Sequence, residues 1–217
     1  TVALGRPVIR EGWNCDNITT EPMQWTPVLV SATPDSSSIR ALMNFQYKSS
    51  DWKYSTQEMR IIKWIPGHQK AFDGGWVEYS EAENNLFQII PGQLLWIKTK
   101  ERFKLDFGRA VTPKLNIVDT INLPPNQWTD FSNPYPFDVY LGDIFNTTSN
   151  PQINSTVKIY SWDKDSLGRS YSTNLLYFNS LSGYNEPDKP IKGQRPYTVI
   201  NEGKEPVSLL IPAISVE

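Results

Sequence analysis

The chain has 217 residues, with 21 basic and 23 acidic side chains and a formal net charge of −2. Because the two signs are mixed along the sequence, we expect no nucleic-acid or anionic-lipid partner. No apolar run approaches the ~20 residues that span a bilayer, so we expect no membrane insertion. One cysteine, Cys15, and one histidine leave little material for a disulfide, a zinc site or a Cys/His nucleophile pair.

The first hundred residues are predicted to form short strands and one helix. Residues 1–20 are typical of an extended leader, and a chain that starts at Thr1 without methionine or a signal peptide predicts a processed or excised segment. Ile39, Leu42 and Met43 follow at helical spacing after a capping Ser38. Alternation predicts strands at 27–30, 60–64 and 76–79, shorter ones at 45–47 and 52–54, and a turn at 65–68.

A hairpin is predicted next. A Pro-Gly step at 91–92 opens an apolar run at 94–100, a charged turn interrupts it, and alternation resumes at 103–107. This pattern favours two paired strands with one face in a core. The same Gly-Gln opening, charged turn and closing strand occur again at 193–200 and 207–211.

Three landmarks repeat in order at about one hundred residues: Gln24-Trp25-Thr26 and Gln127-Trp128-Thr129, the strand ending in Trp64 and the strand Val157 to Trp162, and Gly92-Gln93 and Gly193-Gln194. We therefore predict an all-β fold of two homologous β-sandwich-like lobes formed by an internal duplication. The first lobe would span 1–112 with the extended leader, and the second 113–217. Lobes that pack side by side and lobes that share a sheet both fit the pattern.

The eight tryptophans divide by their surroundings. Those within the repeated strands are predicted to be core residues: Trp25, Trp64, Trp96, Trp128 and Trp162. Other aromatic residues lie in polar or turn-rich surroundings, where a ring can stack on a sugar, so they are candidates for carbohydrate binding: Trp13, Trp52, Trp76, Tyr54 and Tyr184. The alternative is that these rings cover sandwich edges or a seam between lobes.

A Trp-bearing strand, a Pro-Gly-x-x-x-Trp hairpin and the W-T-x-x-x-N-P segment at 127–134 together resemble the tandem β modules of very long secreted and cell-surface proteins of bacteria. The resemblance covers roughly residues 24–212. It implies a non-catalytic stalk, adhesion or attachment domain with an extracellular or cell-surface location. The partners would be neighbouring copies or adjacent modules of a larger chain.

One loop is a candidate cation site. Asp163 and Asp165 alternate before Gly168, and alternate carboxylates followed by a sharp turn are how short loops surround Ca²⁺ with oxygen. The other interpretation of this loop is a polar hairpin tip. We expect no cofactor besides this calcium ion.

Catalytic signatures are lacking in the sequence. It has no G-x-S-x-G, P-loop or dinucleotide motif. His68 lies on a predicted turn, and the carboxylate pairs Glu78 with Glu81 and Asp138 with Asp143 would need a desolvating cleft for acid and base work. We therefore predict that the protein is not an enzyme.

Sequons and chain ends point to an extracellular context. Asn17, Asn146 and Asn154 each begin an N-x-[ST] sequon in a predicted turn and are candidates for glycosylation. Apolar residues at 2–4 and 209–216 could add a strand to a neighbour's sheet, which would make the protein a fibre or surface-layer subunit. We expect a structural or adhesive module first and a polysaccharide-binding module second.

Overall fold

The computed structural model describes residues 18–71, 74–111, 113, 117–148, 156–164, 171–178, 189–193 and 195–213. These residues form mostly antiparallel β-sheets, in agreement with the predicted all-β class. In the first part of the chain the strands are β1 (Ile18–Thr20), β2 (Trp25–Val28), β3 (Thr33–Pro34), β4 (Met59–Trp64), β5 (Trp76–Glu78), β6 (Leu95–Thr99), β7 (Phe103–Leu105) and β8 (Ala110–Val111). The helices of this part are α1 (Ile39–Tyr47) and a 3-10 helix (Glu81–Leu86).

In the second part the elements are β9 (Asp119–Leu123), β10 (Gln127–Ser132), β11 (Val139–Tyr140), α2 (Leu141–Thr148), β12 (Val157–Lys164), β13 (Tyr171–Phe178), β14 (Pro190–Ile191), β15 (Pro196–Asn201) and β16 (Val207–Ile211). Neither α1 nor α2 is long and apolar enough to cross a membrane, and the same holds for the 3-10 helix. Strands β4 and β12 occur where alternation predicted them.

The first four-stranded sheet has the order β2-β6-β4-β5 and is antiparallel throughout. Its inner face and helix α1 enclose a core that includes Val28, Leu42, Met43, Ile61, Val77, Phe87, Leu95, Ile97 and Leu105. As predicted, Ser38 caps the helix, because its Oγ accepts a hydrogen bond of 3.2 Å from the Ala41 N–H.

The second four-stranded sheet has the order β10-β15-β12-β13 and is also antiparallel. Helix α2 covers its inner face with Leu141, Ile144 and Phe145. The core here includes Leu123, Phe131, Tyr135, Val139, Val157, Ile159, Tyr197, Val199 and Leu209. The two cores therefore draw on successive stretches of the chain.

The predicted hairpin of strands at 94–100 and 103–107 is wrong in its pairing. Both strands exist, but β6 lies between β2 and β4, so its two edges are already hydrogen-bonded. Strand β7 pairs instead with β1. The same holds later in the chain, where β15 lies between β10 and β12 and β16 pairs with β9.

Two shorter strand predictions are also wrong. Residues 45–47 belong to α1, which ends only at Lys48, where φ is 49° and the backbone turns left-handed. Residues 52–54 form no strand. The predicted turn at 65–68 is confirmed, since the His68 N–H donates to the Ile65 carbonyl at 3.3 Å and Gly67 has φ of 74°.

Candidate functional site

The most distinctive site is an aromatic layer between the two four-stranded sheets. Alternate residues of each strand point away from their own core, and these outer faces pack against each other. We call this layer the seam, and its members are Trp25, Leu29, Ile62, Trp64, Trp76, Leu94, Trp96, Trp128, Asp130, Trp162 and Tyr171.

Edge-to-face ring contacts hold the middle of the seam. The Trp96 ring lies 5.4 Å from that of Trp162 and 5.0 Å from that of Tyr171, with interplanar angles of 75° and 77°. Such pairs stabilise by about 0.5–1.5 kcal/mol beyond their buried area. Trp64 makes a similar contact with Trp76 at 5.1 Å. Large rings from both sheets therefore interlock here.

Hydrogen bonds also cross the seam. The Trp64 indole N–H donates to the backbone carbonyl of Trp128 at 2.8 Å. The Ser132 N–H and hydroxyl donate to the carbonyls of Gly92 and Gln93, at 3.0 and 3.1 Å. Because these donors and acceptors have fixed directions, they restrict how the two sheets can slide over each other.

The seam corrects the prediction that five tryptophans are core residues. Trp96 is buried, with 4% of its surface exposed, but it lies in the seam rather than in either core. Trp25, Trp64, Trp128 and Trp162 are only partly buried. Alternation separates the two faces of a strand, but it does not say whether the second face meets water or another sheet.

Asp130 is the charged residue of the seam. The Trp96 indole N–H donates to its Oδ2 at 3.4 Å. Burial raises the pKa of Asp130 to about 6, and interactions with Thr198, Trp96 and Trp162 only partly offset that rise. The Trp162 indole nitrogen is buried near this carboxyl group, yet it has no hydrogen-bond partner among the described residues. The sequence analysis missed Asp130, although it stands two residues after Trp128 and so shares its face.

A second buried charge, also missed, belongs to Lys63. Its Nζ donates to the Leu86 carbonyl at 3.0 Å and to Gln93 Oε1 at 2.7 Å. Burial lowers the pKa of this amine to about 8. Both acceptors are neutral, so the contacts satisfy two of the three N–H donors of Lys63 without pairing its charge.

The chain matches no protein-family model, no curated protein and no solved structure. The site is therefore interpreted from its own residues.

The carbohydrate candidates that the structure describes do not share one surface. Trp52 and Tyr54 pack against the first core, with their rings 6.1 Å apart, and the Tyr54 ring lies 5.1 Å from that of Tyr79. Trp76 lies in the seam beside Trp64. Two of these rings thus contact the core and one lies between the sheets, so binding of a sugar by this set stays a prediction.

The calcium candidate Asp163 is hydrogen-bonded to neighbouring side chains. Its carboxylate accepts hydrogen bonds from Asn174 Nδ2 at 2.7 Å, from Ser161 Oγ at 3.0 Å and from the Arg195 guanidinium. Burial would raise the pKa of Asp163, but these hydrogen bonds outweigh it and hold the pKa below its ordinary value. Among the residues that the structure describes, no three His, Cys, Asp or Glu side chains gather as a metal site.

The carboxylates Glu78 and Glu81 are separately paired with arginines. Arg60 donates two hydrogen bonds to Glu78, at 2.9 and 2.7 Å, and Tyr54 donates a third at 3.0 Å. These bonds, chiefly those from Arg60, hold the pKa of Glu78 below its usual range. Arg40 pairs with Glu81 at 2.5 Å. Glu78 is therefore favoured as an anion, whereas a general acid must hold a proton.

The other acid and base candidates bond elsewhere. Asp138 accepts a hydrogen bond of 3.1 Å from the Gly193 N–H. One oxygen of Asp143 is buried with no hydrogen-bond partner in the described part of the chain. His68 Nε2 lies 3.8 Å from Glu83 Oε1. These groups are distributed over separate loops and helix α2.

The sequon at Asn146 lies on helix α2, not in the predicted turn, and Asn146 is exposed there. The apolar stretch at 209–211 belongs to β16, which pairs with β9.

Five candidates lie outside the described residues: Trp13, Asn17, Asn154, Asp165 and Tyr184. The segments 2–4 and 214–216 lie outside them as well.

Proposed function

We propose that this chain is a non-catalytic structural or adhesive module of an extracellular or cell-surface assembly, built from two copies of one β lobe at 1–112 and 113–217. The observation that carries the proposal is the seam. A broad layer of interlocked tryptophans and sheet-to-sheet hydrogen bonds stabilises a fixed arrangement of two sheets, which is what a stalk or spacer needs.

Strand order and register support the duplication. In the first sheet, β2, which bears Trp25, pairs with β6, and β6 pairs with β4. In the second sheet, β10, which bears Trp128, pairs with β15, and β15 pairs with β12. Ile61 lies opposite Ile97 in the first sheet, as Ile159 lies opposite Val199 in the second. In both parts, a strand preceding the sheet pairs with the strand that follows β6 or β15 in the chain, β1 with β7 and β9 with β16.

We propose no reaction because the candidate carboxylates are paired with arginines. Glu78, Glu81 and Asp163 each pair with an arginine. Hydrogen bonds hold the pKa values of Glu78 and Asp163 below their ordinary values, so these two are stabilised as anions. Catalysis by paired carboxylates needs one of them to keep a proton near neutral pH. The lowered pKa values of Glu78 and Asp163 favour the opposite state, whereas burial in the seam raises the pKa of Asp130 to about 6.

A load test distinguishes a structural module from a free-standing binder. The purified full chain, tethered through its two ends, would be stretched in single-molecule force measurements. We expect one extension step that releases both cores together, and a clearly lower force for Trp96→Ala than for the surface control Tyr47→Ala. Two independent low-force steps in the wild type would contradict a load-bearing role.

Assembly with neighbouring copies has its own test. We expect the full chain to form larger species as its concentration rises, measured by sedimentation velocity, and a variant lacking residues 1–10 to remain monomeric. A monomeric wild type at all concentrations would argue against a fibre subunit. Retardation in polysaccharide gels that is lost in Trp52→Ala or Trp76→Ala would instead favour the polysaccharide-binding alternative.

A further inference from the structure

A groove opens at the C-terminal end of helix α1, away from the seam. Its volume is about 640 Å³, within the roughly 300–1,000 Å³ of small-ligand clefts. Its lining includes Asn44, Phe45, Gln46, Lys48, Ser50 and Asp106. None of these residues was a candidate for binding in the sequence analysis.

One wall of the groove is built by the end of the helix. The Ser49 N–H donates to the Asn44 carbonyl at 2.9 Å, which reverses the chain after Lys48. The Asn44 side chain then holds the returning segment, because its Oδ1 accepts from the Trp52 N–H at 2.9 Å and its Nδ2 donates to the Ser50 carbonyl at 3.5 Å. Trp52 itself packs against the first core. This wall is therefore anchored to the folded body.

The opposite wall is the segment after β7. The Asp106 N–H donates to Gln46 Oε1 at 2.9 Å, and the Gly108 N–H donates to Asp106 Oδ1 at 2.9 Å. Phe45 lies against Gly108, where a Cβ would come 3.4 Å from the ring. Gly108 has φ of 63°, so glycine suits both the backbone and the neighbouring ring.

The side chains of the groove combine an apolar face with unused polar groups. Phe45 is 52% exposed, so its ring is accessible from solvent. In the described part of the chain, the Lys48 amine, the Gln46 amide N–H groups, the Ser50 hydroxyl and Asp106 Oδ2 make no hydrogen bond. The one cation and the one anion balance, so the lining selects no ligand charge.

We propose that this groove binds a neutral saccharide. The apolar face of a sugar ring would stack on Phe45, and its hydroxyls would donate to Asp106 and accept from Lys48 and Gln46. A phosphate or sulfate ligand would need more cations than Lys48 supplies. This binding activity goes beyond the structural role proposed above and does not depend on it.

The test is affinity electrophoresis of the full chain in gels that contain one soluble neutral polysaccharide each: glucan, mannan, xylan or galactan, with anionic alginate as the charged comparison. We expect retardation in at least one neutral gel, and about ten-fold weaker binding for Phe45→Ala, the loss expected for about 1.4 kcal/mol of stacking. Asp106→Asn should also weaken binding, because it replaces an oxygen that accepts from a sugar hydroxyl with an amide N–H group that can only donate.

The matched control is Tyr47→Ala. Tyr47 lies on the same helix and is equally exposed at 50%, but its ring stacks on Phe103 at 5.7 Å and does not line the groove. Retardation that survives in Tyr47→Ala and fails in Phe45→Ala, with unchanged melting temperatures, supports the proposal. No retardation of the wild type in any neutral gel, equal loss in both variants, or loss only in Trp76→Ala overturns it.

Discussion

Asp130 is a single carboxyl group in the seam that makes the stability of the folded protein depend on pH. Its pKa is raised to about 6 by burial, so the folded state binds the proton more tightly than the unfolded chain does. The folded protein should therefore gain stability from this group as pH falls below about 6. The gain is complete below the unfolded pKa, whose ordinary value is 3.8.

Replacement of Asp130 by Asn removes this titration. Since one pKa unit corresponds to about 1.4 kcal/mol, we expect Asp130→Asn to be more stable than the wild type by about 1–3 kcal/mol at pH 7. The difference should vanish near pH 4. Urea unfolding of both proteins across this range measures it. Because Glu78 and Asp163 have lowered pKa values, their protonation destabilises the folded protein as pH falls, but this loss is equal in the wild type and in Asp130→Asn. A constant difference at every pH would contradict the assignment.

Gly92 lies against residues of the second half of the chain, Asp119 and Pro134. Its φ is 83°, and an added Cβ would come 2.6 Å from Asp119 Oδ2. Gly67 has a similar φ of 74° but nothing within 4 Å. We expect Gly67→Ala to lose about 1 kcal/mol from backbone strain alone, and Gly92→Ala to lose somewhat more, because the end of the Asp119 side chain must also move. Equal losses in thermal unfolding would show that the contact with Asp119 is unimportant.

Helix α1 illustrates the contribution of one cap to an element. The Ser38 hydroxyl satisfies an N–H that the first turn leaves free. We expect Ser38→Ala to lose about 1 kcal/mol and roughly 2–4 °C in melting temperature, whereas Ser38→Asp keeps the acceptor and stays near the wild type. The exposed Ser50→Ala serves as the control. A melting temperature that Ser38→Ala leaves unchanged would mean that packing of Leu42 and Met43 alone fixes the helix.

At the scale of elements, local pattern predicted which residues form strands better than which strands pair. Alternation located β4 and β12, and Ser38 with Ile39 marked the start of α1, because burial on one face imposes these periods locally. Pairing of β6 with β2 and β4 joins residues far apart in the chain, which turn chemistry at 100–102 does not encode. Residues 45–47 were mistaken for a strand because three residues fit either period.

For the whole molecule, the sequence offered a seam between lobes only as the alternative position of rings such as Trp76, which does lie there. The repeat suggested equivalent tryptophans in two equivalent cores. Alternation of apolar residues cannot distinguish a core face from a face that meets another sheet. Asp130 offered a further hint, since a carboxylate two residues from Trp128 suits a partly polar interface better than a core. The groove beside Phe45 was hidden for another reason: it forms from helix α1 and the segment after β7, which only the fold brings together.

The central claim is that the seam makes the two sheets unfold as one cooperative unit. Native-state hydrogen exchange under increasing urea tests this claim most directly. Strands β4 and β12 carry one core each, through Ile61 and Ile159. We expect their amide protons to become exchangeable at the same urea concentration in the wild type. In Trp96→Ala, which should lose about 3–5 kcal/mol, the two strands should exchange separately. Strands that already exchange at different urea concentrations in the wild type would contradict the account.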